Sequence, residues 1–393
     1  MRPERKVLML TWYAHIGGLE RMVLSLSTAL KAGGWSPRAF VFDRRPDAGP
    51  ENDLTPSFES AGVPVVAFEK GPGFSFGAVA ALRRLVAEEA VPVLHSHDLG
   101  ALMYGACVKL SRLGRARLIH TQHSFVGMSA KPAHARYQRF FTRFADEIVV
   151  VSEDTKRSYV ELGVPERRIR VIPNGVRFPE RSAGAAERRG LKAALLAALD
   201  APARAALEPF AGDRWILYMA RLEGAKGQDH ALELWERLSP AARAGSVLLF
   251  VGPESETGAL ARLRAGIAKA SDASRVLALG ATHAPELWLG CSDVALSCSE
   301  FEGMPLGPIE AAGAGLPLVL SEIPGHAVLR ECSVQYRLDA PADGARAVER
   351  LLAAAPDESF ARAWENAAGI RSRHTLARMS EAYARLYVPE VAT

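Results

Sequence analysis

Cysteine is scarce in this chain: Cys107, Cys291, Cys298 and Cys332 are the whole set in 393 residues, with no CxxC spacing. Neither a zinc knuckle nor a disulfide framework is indicated, and a reducing cytoplasm suits the composition. Long apolar runs are also missing, since no stretch reaches the ~18 residues that span a bilayer. The charged start 2–6 and the apolar run 7–10 resemble a leader only superficially. The run is short and no small-residue cleavage site follows, so it reads as a first buried strand. Low-complexity tracts and internal repeats are absent. No G-x-G-x-x-G follows the first strand, and Gly313-Ala314-Gly315 precedes a strand, which argues against a dinucleotide fingerprint.

What is present is an ordinary globular composition, 49% hydrophobic and 23% charged, of a length that suits two domains. The net charge of +4 is unevenly spread. Residues 1–175 hold 24 Lys+Arg against 17 Asp+Glu, and the remainder 24 against 27. The first half is therefore the part to meet an acidic partner or membrane surface, unless its charge is simply a solvated face. Nothing points to nucleic acid.

Apolar runs alternate with helical patterns in two series. Strands are predicted at 6–11, 37–42, 63–67, 92–95, 117–121 and 147–151, with a helix at 19–31 among them. After Ile172-Pro173-Asn174-Gly175 comes an Ala/Arg-rich stretch, 181–207, that reads as a short helix in a linker or insert. A second series follows, with strands at 215–220, 246–251, 275–279, 293–297 and 316–320 and helices at 228–238, 258–270 and 305–314. Both series have the grammar of a doubly wound parallel sheet, predicting two domains that face a central cleft and bind ligands beyond the carboxyl ends of their strands.

The polar residues gather at those ends. In Glu302-Gly303-Met304-Pro305-Leu306 and on to Glu310, one carboxylate falls in a strand-to-helix loop and another on the helix that Pro305 opens. Such a pair can hold a polyol beside an anion at a helix N-terminus, although acidic residues there are also favoured by the macrodipole alone. Arg221 and Lys226, with Gly224 and Gly227, sit in another strand-to-helix loop, where they can neutralise a diphosphate or form a solvated pair. Gly17 and Gly18 open the first helix and offer backbone N–H groups to a phosphate. His95, His97, His120 and His123 cluster at two strand ends. His95 and His97 share a strand face and, with His123, could chelate zinc for a hydrolase; the alternatives are neutral hydrogen-bonding groups lining a polar cleft and a purely structural role. In 131–144, Tyr137, Phe140, Phe141 and Phe144 fall on one helical face with Arg136, Arg139 and Arg143 largely off it. This is either core with a basic outer face or a membrane-surface helix.

Taken together and in order, Gly17-Gly18, His97-Asp98, His123, Val151-Ser152-Glu153, Ile172-Pro173-Asn174-Gly175-Val176, Ala220-Arg221-Leu222, Lys226-Gly227, Val251-Gly252-Pro253-Glu254 and the Glu302 to Glu310 motif resemble the retaining glycosyltransferases of family four. The resemblance runs nearly end to end. It implies the α/β GT-B fold, with a Rossmann-like acceptor domain at 1–178 completed by a C-terminal helix at 373–393. A donor domain would occupy 209–372, with 179–208 between them. It implies transfer of a hexose-type sugar from a nucleoside-diphosphate sugar, such as a UDP-sugar, to a hydroxyl acceptor in glycan, glycolipid or natural-product synthesis, without a metal or other cofactor. A sugar-nucleotide-binding relative without activity is the other implied outcome. By the same resemblance Arg221 and Lys226 hold the diphosphate, aided by backbone near Gly17 and Gly18, and Glu310 binds the ribose. Glu302 and the backbone of Gly303, Met304 and Pro305 meet the sugar, Leu306 belongs to the same donor-binding run, His123 touches the sugar near the reacting centre, and His97 and Asp98 line the acceptor side or the cleft. The resemblance suits a cytoplasmic enzyme, with or without peripheral contact at the inner membrane face. Met304-Pro305-Leu306 replaces the Phe-Gly-Leu commoner in the family, and Pro305 has no N–H to offer.

Overall fold

A computed structural model of the chain describes residues 5–43, 49, 52–111, 116–123 and 132–388. The charged start Arg2 to Glu4, Lys131 and the end of the 373–393 segment beyond 388 lie outside the described residues. The chain divides into two compact units. One is Met1–Val176 with His374–Thr393, the other Arg177–Arg373.

The first unit is built on a seven-stranded sheet in the order β3-β2-β1-β4-β5-β6-β7. Its strands are β1 (Lys6–Thr11), β2 (Ser36–Val41), β3 (Val65–Ala67), β4 (Val93–His97), β5 (Arg117–Gln122), β6 (Glu147–Val150) and β7 (Ile169–Val171). Every pairing is parallel. The near-continuous apolar runs follow from that, because strands covered by helices on both faces have no solvent side on which to place polar residues. The order reverses between β1 and β4, so the loops leaving these two strands diverge and leave a crevice at their carboxyl ends.

The unit is completed from the far end of the chain. The Val176 N–H donates to the His374 carbonyl at 2.8 Å, and the helix Leu376–Tyr387 packs against Gly18–Ala32. A Cβ on Gly175 would lie 2.4 Å from the Thr375 carbonyl oxygen, so only glycine lets the two backbone segments cross there.

The second unit repeats the plan with six strands in the order β10-β9-β8-β11-β12-β13. These are β8 (Arg214–Met219), β9 (Ser246–Val251), β10 (Val276–Ala278), β11 (Val294–Ser297), β12 (Leu318–Ser321) and β13 (Val334–Tyr336). All are parallel, and the reversal falls between β8 and β11.

Three details differ from the sequence pattern. β7 and β13 were not anticipated, being three-residue strands of mixed polarity at the sheet edges. The 179–208 stretch holds two helices, Ala185–Ala198 and Ala201–Leu207, and packs as part of the second unit. Buried Arg188 donates to the carbonyls of Leu289, Gly290, Ser292 and Ala314, while Lys192 pairs with Asp293 at 3.0 Å. Finally, the 137–144 aromatics do not all enter the core: Phe141 and Phe144 pack on it, but Tyr137 and Phe140 are exposed.

Candidate active site

In the second unit the loops after β8 and β11 leave adjacent parallel strands at the reversal point, which brings 220–227 beside 298–306. Several hydrogen bonds weld them. The Cys298 N–H donates to the Tyr218 hydroxyl at 3.0 Å, and that hydroxyl donates in turn to the Lys226 carbonyl. The Glu300 N–H donates to the Ala225 carbonyl at 3.0 Å. Gly227 is held at φ +68° and a Cβ there would sit 2.3 Å from the Cys298 carbonyl oxygen. Glycine is therefore required on both conformational and steric grounds.

This weld sets the central contact. Lys226 Nζ donates to both Glu302 oxygens, at 2.9 and 2.8 Å, with the two side chains only 15% and 12% exposed. Ser299 donates its hydroxyl to Glu302 Oε1 at 2.8 Å, and Ser321 donates to the Ser299 carbonyl at 2.6 Å. Ser299 was not among the expected site residues; its place three positions before a glutamate in a strand-to-helix loop was the available signal. Arg221 lies on the same loop but is 45% exposed and pairs with Glu223 at 3.2 Å. Of the two cations, Lys226 is thus positioned by protein contacts, and Arg221 is held by one surface carboxylate, a weak restraint.

The helix of the motif runs Leu306–Gly313, one residue later than expected, with Pro305 as its N-cap and no side-chain cap. Glu310 is its fifth residue. Of the three backbone positions expected to meet sugar hydroxyls, Pro305 has no N–H, and that of the next residue, Leu306, turns back to the Met304 carbonyl at 3.0 Å. A hollow of about 330 Å³ on another side of the 223–228 loop is lined by Glu223, Asp229, Glu233 and Glu300 against Arg262 as the one fixed cation. Its charge is wrong for a diphosphate, which directs an anion to the Arg221 and Lys226 side.

In the first unit the histidines end up largely as internal hydrogen-bonding groups. His95 spends both ring nitrogens, on the Tyr387 hydroxyl and on Thr121 Oγ1, each at 2.7 Å. His120 bonds Gln138 at 2.9 Å. His97 Nδ1 lies 3.1 Å from His123 Nε2. Burial, then the neighbouring rings, holds His95 and His97 well below the usual imidazole range. Burial alone lowers His120, to about 3, and burial followed by His120 lowers His123. These rings are neutral at pH 7. The zinc-hydrolase alternative is not supported, because His95 has no lone pair left for a metal and no group of three ligands is arranged to hold one among the described residues.

Asp98 begins the helix Asp98–Leu110 at φ +63°, an unusual conformation for a residue with a Cβ, and its carboxylate accepts from the His123 N–H at 3.4 Å. His97, Asp98 and His123 are therefore together at the ends of β4 and β5. Gly17, the N-cap of Gly18–Ala32, and Gly18 follow β1, the strand beside β4, and no side chain caps that helix.

Residues 16–178 match the family described as Glycosyltransferase Family 4, and residues 213–354 match Glycosyl transferases group 1. A glycogen synthase of Mycobacterium tuberculosis is 27% identical over 358 residues, covering 81% of this chain and 78% of that protein. The Anabaena protein Alr3699/HepE, solved with UDP and glucose, superposes with a TM-score of 0.82 at 17% identity, covering 98% of this chain and 99% of that one. Sucrose-phosphate synthase from Thermosynechococcus elongatus gives a TM-score of 0.74 at 19% identity, with 98% of both chains covered. With two doubly wound units, polar side chains at the strand ends of both reversal points and these matches along its length, the chain belongs to the family-four glycosyltransferases and has the GT-B fold of two Rossmann-like domains.

Proposed function

We propose that this glycosyltransferase moves a hexose-type sugar from a UDP-sugar to a hydroxylated acceptor with retention of anomeric configuration and without a metal ion. The observation that carries the reading is Lys226, a cation held beside Glu302 where two loops meet beyond β8 and β11. A diphosphate leaving group builds charge on its departing oxygen, and a fixed cation near a helix N-terminus stabilises that charge as it grows. The Anabaena relative, solved with UDP-glucose, supports the choice of nucleotide.

In this reading Lys226 and Arg221 bind the diphosphate, with the backbone at Gly17 and Gly18 contributing. Glu310 binds the ribose. Glu302 and the backbone of Gly303 and Met304 meet the sugar, as does His123, while His97 and Asp98 serve the acceptor. The acceptor is a saccharide, a lipid-linked glycan or a small molecule. The enzyme works in the cytoplasm, with its basic first unit meeting the inner face of the membrane.

Isothermal titration with UDP and with UDP-glucose tests the donor half. Lys226→Ala should weaken UDP binding and lower transfer by at least ~100-fold, the scale of losing one electrostatic stabiliser, and Arg221→Ala should do so to a lesser degree. Unchanged UDP affinity and turnover in both variants would reject the assignment.

A further inference from the structure

The helix Pro132–Phe141 is turned with a glutamine inward and aromatic rings outward. Gln138 is fully buried, its amide 3.2 Å from Gln122 Oε1 and 2.9 Å from His120 Nε2, and Thr142 is buried one turn on. These polar anchors fix the rotation of the helix, and Tyr137 and Phe140 are left 53% and 48% exposed. At about 100° per residue Arg139, Arg136, Phe140 and Tyr137 follow one another across the outward arc, guanidinium groups on one flank and rings on the other. Arg143, also exposed, follows in the next turn.

Cations close by in the sequence and sheet have carboxylate partners: Lys109 with Asp146, Arg117 and Arg170 with Glu147. Among the described residues no carboxylate pairs with Arg136, Arg139 or Arg143. Tyr137 and Phe140 thus present about half of their ring surface outward, Phe140 keeping edge contacts to Phe141 and Phe144, beside three guanidinium groups with no carboxylate partner among the described residues.

We infer that this face docks on an anionic lipid surface, with Tyr137 and Phe140 entering the acyl boundary and the three arginines meeting lipid phosphates. A bilayer supplies an apolar layer directly beneath a negatively charged one, which matches rings and guanidinium groups side by side on a convex helix. The excess of 24 Lys+Arg over 17 Asp+Glu in residues 1–175 acts in the same direction at longer range. This deepens the proposed membrane contact by assigning its residues and its lipid chemistry, and it is independent of the donor.

Co-sedimentation of the full chain tests it, using phosphatidylcholine vesicles with and without phosphatidylglycerol. The expected result is pelleting with phosphatidylglycerol at low salt that falls steeply at high salt, and little with phosphatidylcholine alone. The triple variant Arg136→Gln, Arg139→Gln, Arg143→Gln should weaken partitioning by roughly two orders of magnitude. The double variant Tyr137→Ser, Phe140→Ser should also release the protein while it still unfolds cooperatively, with at most a small fall in melting temperature from the lost Phe140 edge contacts to Phe141 and Phe144. Failure to pellet with anionic vesicles, equal pelleting with both vesicle types, or pelleting indifferent to both variants overturns the proposal. So does a lipid-free dimer abolished by Tyr137→Ser, Phe140→Ser, which would assign the face to a second copy. UDP titration on the same preparations separates the two readings, since loss of UDP binding counts against the donor site alone.

Discussion

The contact between Lys226 and Glu302 gives a residue-scale account of how the loops after β8 and β11 hold their charged groups in order. A lysine needed for a diphosphate would be a partly desolvated, uncompensated charge without an anion nearby, and Glu302 supplies one. The proposed function has an arriving diphosphate take Lys226 as its partner, which would release Glu302 to the sugar hydroxyls. Glu302→Gln should therefore lower kcat by at least ~10-fold while UDP binding stays equal or tightens; a loss of UDP affinity as large as that of Lys226→Ala would contradict this. The residues of the pair were readable as polar groups in two strand-to-helix loops. Their direct bond was not, because 76 positions separate them and only the adjacency of β8 and β11 joins the loops. The histidines read as neutral hydrogen-bonding or structural groups, but their partners were hidden for the same reason. Their partners Tyr383 and Tyr387 lie more than 260 positions away, so neither the Thr121–Tyr383 bond nor the His95–Tyr387 bond leaves a trace in local spacing.

At the scale of elements, the parallel strands were the most legible feature, since burial on both faces writes them as apolar runs such as Ser246–Val251. Edge strands β7 and β13 escaped because their three residues mix polarity, whereas the equally short edge strands β3 and β10 are wholly apolar. Helix rotation was the least legible. The aromatic spacing in 137–144 was compatible with core or surface, and a single buried glutamine decided between them. The loop 220–227 depends on a comparable local device at Gly227. Gly227→Ala adds a Cβ that collides with the Cys298 backbone and forces an unfavourable φ, at a cost on the order of 1–3 kcal/mol. Thermal unfolding should register this as a lowered melting temperature, and UDP affinity should fall with it because Lys226 is the preceding residue. A variant with wild-type melting temperature and wild-type UDP affinity would show that the loop tolerates the added atom.

For the molecule as a whole, the buried histidines make stability depend on pH. His95, His97 and His120 are neutral in the folded state and protonate near pH ~6.5 once unfolded, so below that value the unfolded chain binds more protons. Stability is thus intact above ~6.5 and declines as pH falls toward the folded values, about 3 for His120, with each ring adding a slope of up to ~1.4 kcal/mol per pH unit. Urea midpoints measured from about pH 7.5 down to 5 should fall progressively, and a flat profile would mean that the rings are not held neutral.

The return of the chain at His374 to complete the first unit also has a temporal consequence. During synthesis the strands of the first unit emerge before the second unit, but the helix that covers Gly18–Ala32 and bonds His95 emerges only after Arg373. The second unit, Arg177–Arg373, is contiguous and available in full before that. Domains fold as units when their residues are present, so the half that appears second is the first able to finish. The unfinished half must wait with the partners of Tyr383 and Tyr387 uncovered, which makes it the part of the nascent enzyme in need of protection.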